Sequence, residues 1–161
     1  MLDGRARVLS DTGEDLTDGM FRGAEAMLRL AQQEEVRLAI LMDISAACGS
    51  QVTYGDRRTA PHQIGQGVAA ALLIRHGIPV VSQRDHRTLN RVFHAVDPSH
   101  ALRDDLIDHH EVEWHRSRFE GQASSPLACG EQPTQDVRSP LKRARRGCVG
   151  PPSNFDPELA P

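Results

Sequence analysis

Leu38-Ala39-Ile40-Leu41-Met42-Asp43-Ile44-Ser45-Ala46-Ala47-Cys48-Gly49-Ser50 is the stretch on which the fold turns. Its first five residues form an uninterrupted apolar run, short and bounded by turn formers, which predicts a buried strand within residues 36–42. Cys48 then stands in a loop at the carboxyl end of that strand, where open α/β sheets bind their ligands. Two readings of the thiol follow: a chemical group, or a buried filler acting as a small hydrophobe. Asp43, at the strand's end, could serve as a general base, although aspartate commonly begins a loop.

Outward from this stretch the chain alternates helix and strand. Toward the amino terminus, Asp15-Leu16-Thr17-Asp18 reads as a helix start with Thr17 as N-cap. Met20, Phe21, Ala24, Met27, Leu28 and Ala31 follow at helical spacing, so a helix from about 18 to 33 packs one face inward. Gly23 would let it approach a neighbour closely. Toward the carboxyl terminus, Asp43 to Gly65 reads as a long loop without regular structure, of the kind that often carries function. Gly67 to Ile74 predicts a buried helix ended by Gly77 as a left-handed cap, and Ile78-Pro79-Val80-Val81 predicts a second strand. That order is the βαβ pattern of a parallel sheet with a right-handed crossover.

From Asp85 onward a helix with Leu89, Val92, Phe93 and Val96 is expected, broken at Asp97-Pro98-Ser99. A second helix would bury Leu102, Leu106, Ile107 and Trp114. The fold class is therefore α/β: a small parallel sheet with flanking helices in Rossmann-like layers, followed by two helices and a disordered tail. Seven of the ten prolines lie after position 120, among Ser, Gly and Gln, a composition that cannot bury enough apolar surface to order itself. The domain is thus placed at 1–120 and the tail at 121–161. Lys142-Arg143-Ala144-Arg145-Arg146 within the tail reads as a solvated basic run, with a localisation or nucleic-acid patch as the other reading.

The formal net charge of −3 over 161 residues implies no strong attraction to polyanions or membranes, so nucleic acid is not an expected partner. Three cysteines without repeating spacing do not make a disulfide framework. No apolar run reaches the length of a membrane span, and Met1-Leu2-Asp3-Gly4-Arg5 lacks a signal peptide's apolar core; a cytoplasmic protein is expected. Six of the eight histidines lie between 86 and 115. His110 and His115 are five apart, not the four that would put both rings on one helical face for zinc. Asp105 with His109 and Glu111 with His115 are four apart, the spacing of ordinary surface pairs. Gly65-Gln66-Gly67 before a helix could cradle a phosphate, but without the full dinucleotide fingerprint a close-packing turn is the expected role.

Several blocks taken in order carry a resemblance. Gly13-Glu14-Asp15-Leu16-Thr17 comes first, then Phe21-Arg22-Gly23-Ala24 and Leu38-Ala39-Ile40-Leu41. Ser45, Cys48, Gly49, Ser50 and Tyr54 follow, then Gly65-Gln66-Gly67-Val68-Ala69-Ala70-Ala71-Leu72-Leu73 and Gly77-Ile78-Pro79-Val80. From Gly13 to Gln83 the chain resembles the bacterial 2-thiouracil desulfurase family, with its Ser-Pro-Ser-Cys-Gly signature. The resemblance implies a 4Fe–4S cluster held by three cysteines, its open iron taking sulfur from a thiolated pyrimidine base. Thiolates are the usual cluster ligands, and soft iron suits a thiocarbonyl sulfur. Carried over, Cys48 is one metal ligand and Ser45 a catalytic serine near the reacting base, with Gly49, Ser50 and Tyr54 contacting the substrate.

Departures accompany it. Ala46 and Ala47 stand where the family has Pro and Ser, and Gly55-Asp56 inverts an Asp-Gly pair. The family's other two cysteines, and a glutamate beside one of them, precede the block at Gly13, so a shortened or degenerate member is expected. Cys129 and Cys148 could stand in only by organising a long tail at an entropic cost. Two other readings stay open: a non-catalytic small-molecule-binding or scaffold protein, or a gene fragment. With two strands in its parallel sheet, the domain is expected to self-associate or to be marginally stable.

Overall fold

The computed structural model describes residues 6–56, 59–122 and 127–128. Helix α1 (Thr17–Gln33) leads to strand β1 (Ala39–Leu41), a hairpin of β2 (Val52–Tyr54) and β3 (His62–Ile64), helix α2 (Val68–Arg75) and strand β4 (Val80–Ser82). Helix α3 (His86–Val96), a 3₁₀ turn (His109–Glu111), helix α4 (Glu113–Arg118) and strand β5 (Leu127–Ala128) complete the order. β1 and β4 pair in parallel, Ala39 opposite Val80 and Leu41 opposite Ser82. The mixed α/β architecture with a small parallel sheet is therefore as expected.

Side-chain alternation along β4 builds the layers. Val80 packs with Leu28 and Ala31 of α1 and Ala70, Leu73 and Ile74 of α2, while Val81 on the opposite face packs with Leu89 of α3 and Leu38. All three residues of β4 are buried, as a parallel strand covered on both faces must be. α2 ends as predicted: Gly77 takes φ +77° and the Ile78 N–H reaches back to the Leu73 carbonyl at 3.0 Å, a Schellman closure. α1 ends the same way, with the Val36 N–H on the Ala31 carbonyl at 2.8 Å. Its left-handed residue is Glu35 at φ 49°.

Several expectations are corrected. Thr17 is the first helical residue, not the cap. Its N–H donates to Asp15 Oδ1 at 2.9 Å, and its hydroxyl accepts the Val8 N–H at 2.9 Å, because the preceding turn folds back onto the helix. A Cβ added at Gly23 would meet nothing within 4 Å; Ala24 is the buried small residue on that turn. The Asp43–Gly65 segment is not without regular structure, since β2 and β3 pair antiparallel within it. Residues 102–114 do not form one helix. Their backbone groups are taken by α3 side chains instead: Arg103 N–H donates to Asn90 Oδ1 at 2.9 Å, and Arg87 Nε donates to the Leu106 carbonyl at 2.8 Å. Leu102 and Ile107 are consequently exposed, while Asp108, His109, His115 and Phe119 are buried. Beyond the boundary placed near Gly121, Leu127–Ala128 pair antiparallel with β4. Cys129, Cys148 and the basic run 142–146 lie outside the described residues.

Candidate functional site at the strand ends

The carboxyl ends of β1 and β4 each deliver an aspartate. Asp43 follows β1 and Asp85 follows β4; both are buried. Asp43 Oδ1 accepts the N–H groups of Val52 at 3.1 Å and Gln51 at 3.3 Å, which closes the loop between them. Its Oδ2 lies 2.8 Å from Nδ1 of His109. Burial raises the Asp43 carboxyl, but the His109 bond and the loop N–H groups outweigh it and hold the group below its ordinary range. An ionised carboxylate only accepts, so His109 Nδ1 carries the proton that is shared.

Asp85 is tuned the other way. Its Oδ2 accepts Gln51 Nε2 at 2.6 Å and the Ser82 N–H at 3.3 Å, and its Oδ1 accepts the His109 N–H at 3.0 Å. Burial dominates nonetheless, with the Asp108 charge adding to it, and pushes its pKa up to about 6. His109 is therefore held twice, by its ring on one strand's aspartate and by its backbone on the other's. Trp114 stacks on that ring at 5.5 Å and 4°, and His115 meets it edge-on at 5.3 Å. Burial lowers the His115 pKa, and the neighbouring His109 and His110 add to this.

Cys48 rides on the loop that this network closes. Ser45 Oγ accepts the N–H of Cys48 at 3.1 Å and of Ala47 at 3.3 Å. The Ala46 and Ala47 carbonyls accept the first N–H groups of α2, from Val68 at 2.9 Å and Ala69 at 2.8 Å. The helix start is thus occupied by the loop's own carbonyls, and Gly65-Gln66-Gly67 is the packing turn rather than an anion cradle. Two glycines make the contact possible. A Cβ on Gly67 would lie 2.5 Å from the Ala47 backbone, and one on Gly49 would lie 2.2 Å from the Val52 carbonyl oxygen. Cys48 as a residue is half-buried.

The structure brings Ser45, Cys48 and Gly49 together in one turn. Ser50 is buried and its hydroxyl has no partner. Tyr54 projects from the hairpin, 57% exposed, with its ring 5.9 Å from that of His62. Sequence spacing missed Gln51, Asp85, His109, Trp114 and His115 as members of the strand-end network. The expected Asp105–His109 and Glu111–His115 surface pairs do not form. Asp105 pairs with Arg103 at 2.6 Å, Glu111 pairs with Arg87 at 2.8 Å, and both histidines are buried. The one tryptophan of the chain, flanked by histidines at 109, 110 and 115, was the available signal.

Among the described residues no three His, Cys, Asp or Glu side chains gather so as to hold a metal ion, and Cys48 is the free thiol there. These residues alone do not fit a cluster that needs three thiolates. No helix among them is long and apolar enough to cross a membrane.

Comparison with known proteins matches residues 2–85 to the family model described as 2-thiouracil desulfurase. A relative, the uncharacterized protein YbbK of Bacillus subtilis (strain 168), is 33% identical over 85 residues, covering 53% of this chain and 56% of that protein. A solved structure, the [4Fe-4S]-dependent thiouracil desulfidase TudS, is 39% identical with a TM-score of 0.46, covering 48% of this chain and 51% of that one. The chain spans about half the length of these relatives. The matched stretch ends at Asp85, so His109, Trp114 and His115 lie beyond it.

Proposed function

The chain belongs to the 2-thiouracil desulfurase family, and from that premise we propose that its Cys48 loop binds a thiolated pyrimidine base and takes part in removing the sulfur. The observation that carries this is that Cys48 is not fully buried. A cysteine kept for packing is buried among apolar side chains. Here Gly49 and Ser50 are buried while Cys48, beside them, is only partly so, on a backbone pinned against α2. The filler reading of the thiol is the weaker one on that ground.

Ser45 supports the same reading. Its oxygen accepts two loop N–H groups, which leaves its own O–H to donate to a thiocarbonyl sulfur or to orient a water. Gly49 permits close backbone approach, and the unpartnered Ser50 hydroxyl and exposed Tyr54 are the proposed substrate contacts. In net terms 2-thiouracil and water give uracil and hydrogen sulfide, with no change of oxidation state. On this reading Cys48 contributes one thiolate to a 4Fe–4S cluster, which the described residues cannot complete.

That last point favours a second reading, a domain that binds the base without turning it over. Anaerobic reconstitution with iron and sulfide, followed by 2-thiouracil, separates the two. Cluster absorbance and sulfide release that both vanish in Cys48→Ser are the outcome expected for the enzyme. A wild-type chain that is melted at a higher temperature by 2-thiouracil, yet takes up no iron and releases no sulfide, is a binding module. A chain that does neither ends both readings.

A further inference from the structure

We propose that His109 is a positioning residue, holding the Cys48 loop in a strained geometry through its hydrogen bond to Asp43. The inference rests on reading that loop as the family's site. It reaches beyond the family-matched residues 2–85 to a segment that folds back onto them.

The strain is at Ile44, between Asp43 and Ser45. Its φ is 57°, in the left-handed region where a β-branched side chain collides with its own backbone. Such a residue persists only where its surroundings over-determine it, and such positions cluster at functional sites. Here the surroundings are visible. The Ile44 N–H donates to the Val52 carbonyl at 3.1 Å, and Gly49 N–H donates to the Ser45 carbonyl at 3.0 Å. Thr53 Oγ1 donates to the same Ser45 carbonyl at 3.2 Å. Asp43 Oδ1 gathers the Gln51 and Val52 N–H groups.

The last two of these bonds depend on where the Asp43 carboxylate points, and its other oxygen is held by His109. The residue is fixed on two sides: Trp114 stacks on its ring, and Asp85 accepts its backbone N–H. With both His109 and Asp43 about 2% exposed, neither can touch a substrate directly. Their effect must pass through the loop.

Cys48 alkylation by iodoacetamide in the full-length chain tests this, with peptide mapping to read Cys48 apart from Cys129 and Cys148. His109→Leu should speed Cys48 labelling about tenfold while helical circular dichroism persists, the change expected when one charge-assisted hydrogen bond is lost. His109→Asn, whose side-chain N–H₂ can occupy the place of Nδ1, should label near the wild-type rate. Leu28→Ala, a core change remote from the loop, should weaken the fold and leave the native-state rate unchanged. A folded His109→Leu that labels like wild type overturns the proposal, as does an Asn variant as fast as the Leu one. If His109→Leu does not fold, His109→Gln decides, because its donor sits one bond too far out. Gln faster than Asn supports the clamp, and equal rates overturn it. Loss of 2-thiouracil binding by the wild-type chain would instead sink the family-site reading and leave these labelling rates as they are.

Discussion

Asp85 and His109 show how far a single residue's environment departs from its sequence neighbourhood. Asp85 has a folded pKa of about 6 against 3.8 for the free side chain, so the folded state holds its proton more tightly. Stability from this group is fully present below pH 3.8 and is lost as pH rises through about 6. His115 runs the other way. Its pKa is pushed below 6.5 by burial, so its contribution is present above that value and is lost as pH falls. Comparing wild type with Asp85→Asn cancels the histidine. Urea denaturation should show the substitution costing about 2 kcal/mol more near pH 4.5 than near pH 7.5. An equal cost at both would mean that Asp85 titrates normally. Gly67 offers a steric test. Gly67→Ala drives a Cβ to 2.5 Å from the Ala47 backbone, and this should lower stability by about 1–3 kcal/mol, read as a lower urea midpoint.

The first three helices and the apolar strands β1 and β4 were legible in the chain, while the β2–β3 hairpin and the segment docked by distant side chains were not. α1, α2 and α3 follow from apolar spacing and from Gly77, because a helix satisfies its backbone locally. The two helix ends make a paired prediction. Gly77 already fits its left-handed position, while Glu35 at φ 49° pays for a Cβ there. Glu35→Gly should raise stability by about 1 kcal/mol, and Gly77→Ala should lower it by a similar amount, both measured by thermal melting. The 101–112 segment is the opposite case, since it has no ladder of its own. Asp108 ties it to α3, accepting the Thr88 N–H at 2.9 Å and the Thr88 hydroxyl at 2.8 Å. Asp108→Ala should cost about 2–3 kcal/mol in urea denaturation. A cost near zero would show the segment docked by other contacts. A loop carrying Ser45, Cys48 and Gly49, and Asp43 at the strand's end, were readable from the chain, whereas the link from Asp43 through His109 to Asp85 was not.

At the scale of the whole molecule, the described residues leave one side of the sheet open. β1 pairs with β4 along one edge, and among the described residues no strand lies along the other. Ile40 and Met42 beside that edge are 44% and 60% exposed. An uncovered apolar edge is a template for another chain. Sedimentation velocity should show concentration-dependent self-association, reduced in Met42→Lys. A monomer at every concentration would remove the expected homo-oligomer.

What the chain determined by itself was the alternation of helix, strand, helix and strand, and the placing of Cys48 at a strand's exit. Periodicity and turn chemistry act over a few residues, and those distances are the same in any conformation. Only the tertiary structure decided that His109 would leave the surface for Asp43, 66 residues away, and would bring Trp114 and His115 with it. Local spacing offered His109 an exposed ion pair with Asp105, worth little in water. A buried carboxylate left without its donor costs far more, and which donor is within reach is settled only once the strands have set Asp43 and Asp85 side by side.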